Sequence, residues 1–131
     1  MIAIDTNVLV RYVVGDDPAQ TARATTLIEQ ECDESRPAFI ATIVLAELVW
    51  VLESCYPSSK EQIVTVLEQV LRTRQFVVEQ AELVWQAVRS FVASKADFAD
   101  CLIERIAAAR DCEAAVTFDK AAATAGMKLL S

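Results

Sequence analysis

The chain has 131 residues, a net charge of −7 at pH 7 and 54% hydrophobic residues. This length fits one compact domain with a substantial core, so we predict a single domain over residues 1–131. The negative charge excludes the general attraction to phosphate backbones that basic nucleic-acid-binding proteins show. The absence of histidine excludes mechanisms that depend on imidazole, including Ser-His and Cys-His nucleophile pairs. The high hydrophobic content predicts that a partner covers part of the surface.

Signals for targeting, membrane insertion and zinc binding are missing from the sequence. The longest nearly apolar run, residues 39–52, is too short to span a bilayer and contains Glu47. No basic segment precedes the first apolar residues, so we expect no secretion signal and a cytoplasmic protein. The four cysteines lack the tight spacing of zinc sites, and we predict that they are reduced.

Hydrophobic periodicity predicts strands and helices that alternate along the chain. In chain order, we predict a strand at residues 1–4, helices at 8–14 and 18–32, a strand at 38–41, helices at 43–52 and 60–73, a strand at 76–78, helices at 81–93 and 97–111, a strand at 114–118, a helix at 120–124 and a strand at 128–130. Thr42 is the predicted cap of the helix at 43–52, and Ser59 with Gln62 has the spacing of a capping box. This alternation indicates an α/β fold with a parallel sheet covered on both faces.

Two aspartates directly follow predicted strands. Asp5 comes after the first strand and Asp119 after the strand at residues 114–118. In open α/β sheets, functional sites form at the carboxyl ends of parallel strands, where loops converge. The alternative for both residues is that they cap the following helix, a position that Asp favours.

Glu47 is the acidic residue of a helix that has no polar face. Such a helix is predicted to be buried, and an ionised carboxylate there is unfavourable unless it is paired or coordinates a metal. The alternatives are an ion pair with a basic residue such as Arg11, or exposure to solvent while the rest of the helix packs on a partner subunit.

Asp97, Asp100 and Glu104 share one side of a predicted helix, at positions i, i+3 and i+7. The alternative for Asp97 and Asp100 is a capping role, which the helix dipole favours. That alternative is weaker for Asp100, because the apolar residues that follow it favour an inward direction.

Four carboxylates, at Asp5, Glu47, Asp100 and Asp119, would repel one another at the edge of the sheet unless a cation neutralised them. Mg²⁺ or Mn²⁺ suits a site made of carboxylates without histidine or thiolate. A metal site of this kind polarises a phosphate and activates a water for phosphodiester hydrolysis.

These motifs resemble the PIN-domain family of metal-dependent nucleases, and most closely its VapC-type toxins of bacterial type II toxin–antitoxin systems. The segments DTNVLVRYVVGDDPAQ, ATIVLAELVWVLE, ADFADCLI and AVTFDKAAA occur in the order and spacing of that family. The resemblance implies a three-layer α/β/α fold with a central parallel sheet, and the activity of a metal-dependent endoribonuclease.

The resemblance also implies roles for individual residues. Asp5 and Asp100 match the principal ligands of Mg²⁺ or Mn²⁺, with Asp119 beside them and Glu47 as a further ligand or water-positioning group. The polar residues that orient these acids are implied at Thr6, Asn7 and Thr117, whereas Asp97 matches an acidic position found in some members only.

Partners follow from the same resemblance. It implies an RNA substrate, a homodimer and a basic-tailed antitoxin that covers the site. No membrane association is expected, because the longest apolar run is too short to span a bilayer. The basic residues that we would test first as an RNA-contacting edge are Arg72, Arg74, Arg89 and Lys95. The alternative for these residues is an ordinary solvated face.

The sequence is also compatible in part with two other functions. A haloacid-dehalogenase-like phosphatase needs a second Asp two residues after the first, where this chain has Asn7. A non-catalytic PIN-like module that binds protein stays as the alternative, although the presence of all four acidic residues favours activity.

Overall fold

The computed structural model describes residues 1–131, and its strands and helices alternate as predicted. The chain divides into two compact units, Met1–Ala81 and Glu82–Ser131, which we call the amino-terminal and carboxy-terminal units. The prediction of a single domain stays a prediction. No helix combines the length and the apolar character needed to cross a bilayer.

The amino-terminal unit contains a three-stranded parallel sheet of order β1-β2-β3. Its strands are β1 (Ile2–Ala3), β2 (Ala38–Ile40) and β3 (Phe76–Val78). In this register Ile2 is opposite Ala38, and Ala38 is opposite Phe76. Because all three strands run in one direction, the residues that follow them lie at one edge of the sheet.

Four helices belong to the amino-terminal unit: α1 (Thr6–Val14), α2 (Pro18–Thr26), α3 (Thr42–Cys55) and α4 (Lys60–Arg72). Helix α1 ends as predicted at Gly15, which adopts the left-handed conformation with φ 71° that glycine tolerates best. The predicted capping box of Ser59 and Gln62 is present at the start of α4. Helix α2 continues into a π-helical turn, Leu27–Glu31, closed by a 3.0 Å bond from the Cys32 amide to the Leu27 carbonyl.

Helix α3 differs from its prediction in two respects. Its buried side chains are Val44, Leu45, Leu48, Val49 and Leu52. The opposite face is open to solvent, since Ile43 is 67% and Trp50 64% exposed, so the prediction that the whole helix is buried is wrong. The predicted cap at Thr42 is also wrong, because Ala41 occupies the cap position and Thr42 begins the helix.

The remaining elements are α5 (Ala81–Ala93), α6 (Phe98–Ala109), β4 (Val116–Thr117), α7 (Lys120–Ala123) and β5 (Lys128–Leu129). Strands β4 and β5 form a two-stranded parallel sheet, so the five strands are divided between two sheets and the predicted parallel direction holds in both. Phe91 of α5 and Phe98 of α6 meet edge to face, with their ring centroids 6.0 Å apart. The cysteines are free, as predicted.

Candidate active site

One residue separates Asp5 from the end of β1, and Asp5 caps α1. Its backbone is extended, and its carboxylate Oδ1 accepts a hydrogen bond of 3.2 Å from the Val8 amide. The capping role that the sequence offered as an alternative is therefore real. The second carboxylate oxygen makes no hydrogen bond within the protein and the residue is exposed, so capping leaves Asp5 able to contact a ligand.

Glu47 is exposed on α3, and its partner is a hydroxyl rather than a basic residue. The Thr6 Oγ1 donates a hydrogen bond of 2.7 Å to Glu47 Oε1, which joins the first turn of α1 to α3. Arg11 instead pairs with Asp16 at 3.2 Å, so the ion pair suggested for Glu47 is absent. The prediction that Glu47 is buried was therefore wrong, while Thr6 contacts one of the acids that it was expected to orient.

Glu79 is an acidic residue at the same edge of the sheet that the sequence reasoning missed. It directly follows β3, and its Oε1 accepts bonds from the amide of Thr42 at 2.9 Å and from its hydroxyl at 3.0 Å. These bonds satisfy donors at the start of α3, where the cap residue Ala41 has no side-chain acceptor. The signal was available, because an acid directly after an apolar strand is the pattern that drew attention to Asp5 and Asp119.

The carboxy-terminal unit contains two further capping aspartates. Asp97 caps α6, where its Oδ1 accepts a bond of 2.9 Å from the Asp100 amide. Asp119 caps α7 through a bond of 2.8 Å from the Ala121 amide to Oδ1, and its own amide donates to Thr117 Oγ1 at 3.0 Å. Thr117 therefore helps to fix the backbone at Asp119.

Asp100 is the acid whose environment is least favourable to its charge. Burial raises its pKa to about 6 from the usual 3.8, with further contributions from the charge of Asp97, a hydrogen bond to Asp97 and the charge of Asp119. None of the three residues forms an ion pair with a basic side chain. Asp97 and Asp119 thus lie near enough to Asp100 for their charges to raise its pKa.

Glu104 is not among the charges that raise the pKa of Asp100. Arg105 binds it through two contacts, Nε to Oε2 at 2.6 Å and Nη2 to Oε1 at 3.0 Å, and the Glu104 side chain is only 15% exposed. The helical spacing that placed Glu104 on the same side as Asp97 and Asp100 was therefore insufficient to assign it to the site.

The donor chemistry of these residues fits Mg²⁺ or Mn²⁺, since carboxylate oxygens are the ligands that such hard cations prefer. The crowding around Asp100 also fits a cation, because positive charge would relieve it. No three acidic, cysteine or histidine side chains are grouped closely enough to hold a metal ion by themselves. Mg²⁺ commonly binds through one or two carboxylates with waters and substrate phosphates completing its shell. The joint site of Asp5, Glu47, Asp100 and Asp119 stays a prediction.

A cleft of about 760 Å³ lies beside Asp5 within the amino-terminal unit. Residues of α1, of α2 and of the π-helical turn line it, and they include Asn7, Arg11, Arg23 and Thr26. Asn7 was predicted to orient the site acids, and that role stays a prediction. Arg23 was not predicted, because no motif distinguishes it from other surface arginines.

The four basic residues proposed as an RNA-contacting edge differ in their surroundings. Arg72 pairs with Glu68 at 3.7 Å, and Arg74 pairs with Glu34 at 3.2 Å. These pairs favour an ordinary solvated face for Arg72 and Arg74. Arg89 and Lys95 are exposed and form no ion pair, so they stay candidates.

Comparison with known proteins identifies similarity along most of the chain. The sequence profile of the PIN domain matches residues 2–126. A VapC ribonuclease of Aquifex aeolicus (strain VF5) is 28% identical over 102 residues, which are 78% of this chain and 75% of that protein. These matches confirm the resemblance and the fold class predicted from the motifs.

Proposed function

This chain belongs to the PIN-domain family, and from that premise we propose that it is a metal-dependent endoribonuclease and the toxin of a toxin–antitoxin pair. The observation that carries the proposal is the group formed by Asp97, Asp100 and Asp119, whose charges are crowded and unpaired with basic residues. The nearby charges raise the pKa of Asp100, and a cation-binding role would explain why acidic side chains lie together there.

In this proposal the acidic residues hold Mg²⁺ or Mn²⁺. Asp100 and Asp119 are the proposed ligands in the carboxy-terminal unit, with Asp97 beside them, and Asp5 and Glu47 are the proposed ligands in the amino-terminal unit. When bound, the cation offsets negative charge on the scissile phosphate and lowers the pKa of a water for attack. The expected products carry a 3′-hydroxyl and a 5′-phosphate.

Neighbouring residues restrict how these carboxylates are oriented. The Thr6 hydroxyl holds Glu47 Oε1, and the Val8 amide holds Asp5 Oδ1. The Ala121 amide likewise holds Asp119 Oδ1. In each aspartate the other oxygen has no protein donor, so the helix cap orients the carboxylate and leaves one oxygen available to a ligand.

The test is cleavage of a mixed, end-labelled RNA by the purified chain in Mg²⁺ or Mn²⁺ and in EDTA, with Asp100→Asn alongside. We expect cleavage that needs metal and that Asp100→Asn abolishes. Glu113→Gln is the matched control, because Glu113 is an exposed acid of the same unit outside the group. Metal-independent cleavage, or full activity of Asp100→Asn, would overturn the proposed mechanism.

The alternative function is a non-catalytic PIN-like module that binds protein. The observation that favours it is the exposed apolar surface of α3, where Ile43 is 67% and Trp50 64% exposed. An Asp5→Asn variant separates the two functions. A binding module keeps its biological effect in that variant, whereas a nuclease loses it.

The proposed function includes partners that match the composition of the chain. A basic-tailed antitoxin complements the net charge of −7, and a homodimer would cover part of the exposed apolar surface. We propose a cytoplasmic location for this system. Light scattering of the purified chain measures the oligomeric state, and co-purification with the protein encoded next to it tests the antitoxin.

A further inference from the structure

We propose that the cleft beside Asp5 binds the RNA strand, with Arg23 binding a backbone phosphate. This inference rests on the proposed ribonuclease function and adds to it a substrate-binding residue in the amino-terminal unit.

The cleft has the size and the mixed lining of a ligand site. Its volume of about 760 Å³ falls within the range of about 300–1,000 Å³ that is usual for such sites. Apolar side chains that include Val8 and Leu27 line it together with polar groups that include Asn7 and Thr26. A nucleotide needs both kinds of contact, because its base is largely apolar on its faces and its phosphate is charged.

The backbone beside the cleft is also unusual. Leu27 and Glu31, the first and last residues of the π-helical turn, both line the cleft. π-Helical turns are rare within α-helices and occur frequently at functional sites. Here the wider turn forms part of the wall of the cleft.

The two arginines of the cleft differ in the donors that they can offer. The Nε of Arg11 donates to Gln20 Oε1 at 2.7 Å, and its Nη1 lies 3.2 Å from Asp16 Oδ1. Arg23 is exposed and makes no hydrogen bond or ion pair with its side chain. Its planar guanidinium suits two-point binding of a phosphate, so Arg23 is the arginine available to a ligand.

The net charge of −7 opposes RNA binding unless local positive charge, on side chains or a bound cation, offsets it. Arg23 supplies that charge in the same cleft that Asp5 lines. A phosphate bound there would hold a neighbouring part of the strand near Asp5. Arg23 is therefore a positioning residue for the substrate in this proposal.

The experiment measures RNA binding and cleavage separately. Fluorescence anisotropy in EDTA follows binding of a fluorescein-labelled, single-stranded RNA of randomised sequence to the full chain at several salt concentrations. We expect Arg23→Gln to weaken binding by about tenfold and to reduce the slope of log affinity against log salt by about 0.7, the value for one phosphate contact on a single strand. In Mg²⁺, the same variant should raise KM much more than it lowers kcat.

Three further variants make the result specific. Arg23→Lys should restore the salt slope but only part of the affinity, because Lys keeps the charge and lacks the planar fork. Thr26→Glu should weaken binding through a second position in the cleft, and it keeps the test valid if Arg23→Gln fails to fold. Arg36→Gln, an exposed arginine of the same unit outside the cleft, should leave affinity unchanged.

The outcomes separate this inference from the proposed function. If the wild-type chain cleaves RNA and both Arg23→Gln and Thr26→Glu bind like the wild type, the cleft proposal is overturned and the nuclease stands. A loss of binding in Arg89→Gln without a loss in Arg23→Gln would also overturn it, in favour of an RNA path on the carboxy-terminal unit. A wild-type chain that neither binds nor cleaves RNA would overturn both.

Discussion

Aspartates cap helices in both units, but the acidic residues of the two units differ in their neighbours. Asp5 caps α1, just as Asp97 and Asp119 cap α6 and α7. In the amino-terminal unit, Asp5 and Glu47 each accept a hydrogen bond and are exposed to solvent. In the carboxy-terminal unit, Asp100 is partly buried and faces the charges of Asp97 and Asp119.

This difference shows that a helix cap by itself does not reveal whether a carboxylate has a further function. An aspartate that caps a helix and is exposed to water needs no cation to stabilise its charge. Asp100 is different, because burial and like charges both oppose its ionisation and raise its pKa to about 6. The physical reason to propose a metal is therefore stronger in the carboxy-terminal unit. For Asp5 and Glu47, the proposed metal-binding role depends on the family pattern.

The largest expected effect tests whether Asp5 is more than a cap. We expect Asp5→Asn to lower kcat by about 10³-fold, because the amide keeps the cap but loses the charge that holds a cation. Asp17→Asn is the matched control, since Asp17 caps α2 through a bond of 3.1 Å from the Gln20 amide. Cleavage assays with thermal unfolding as a check on folding measure both. Equal activity of the two variants would reduce Asp5 to a structural cap.

The next effect concerns the hydroxyl that orients Glu47. Thr6→Val removes the 2.7 Å bond to Glu47 Oε1, and residues in this supporting position typically contribute about 10–100-fold to activity or metal affinity. Thr65→Val is the control, because the Thr65 hydroxyl bonds only to the Glu61 carbonyl of its own helix. Mn²⁺ titration followed by calorimetry should show weaker binding in Thr6→Val alone. Unchanged Mn²⁺ affinity would exclude Glu47 as a ligand positioned by Thr6.

A third prediction concerns the pH dependence of cleavage. Because Asp100 must be ionised to bind a cation and its pKa is about 6, kcat/KM should fall about tenfold per pH unit below pH 6. Asp97→Asn removes a negative charge that raises this pKa and leaves only a neutral amide oxygen to accept from protonated Asp100, so the fall should move to lower pH. The pH profiles of both proteins measure this shift. A profile that is flat from pH 7 to pH 5 would contradict the assignment to Asp100.

The smallest expected effect is on stability in EDTA. The folded chain binds a proton at Asp100 more tightly than the unfolded chain does, because the folded pKa of about 6 exceeds the usual 3.8. Ionisation of Asp100 therefore lowers the free energy of unfolding as pH rises from about 4 to 6. The protein stays less stable at higher pH. We expect Asp100→Asn to raise Tm by a few degrees at pH 7 and to have no such effect at pH 4. A lower Tm for Asp100→Asn at pH 7 would show that ionised Asp100 is stabilised within the protein.

Local sequence signals determined the elements that carry the site. The bounds predicted for β3 and α5 agree with the structure, because β3 is a short run of aromatic and β-branched residues and the apolar residues of α5 recur at helical spacing. The end of α1 at Gly15 and the capping box at Ser59 were also predictable, since both depend on residues within one helical turn. The order of the four motifs was enough to identify the family, which the profile match over residues 2–126 confirms.

Tertiary structure decided which of the acids have partners and which do not. Thr6 meets Glu47 across 41 residues, and Thr42 meets Glu79 across 37, because parallel strands bring their ends to one edge. The exposure of Glu47 depended on how α3 packs, which an apolar sequence without a polar face does not encode. Packing likewise places Arg23 in a cleft without a side-chain partner, whereas Arg11 contacts both Gln20 and Asp16. The sequence determined the positions of the charges, whereas their burial and pairing, which set their chemistry, arose only from the folded arrangement.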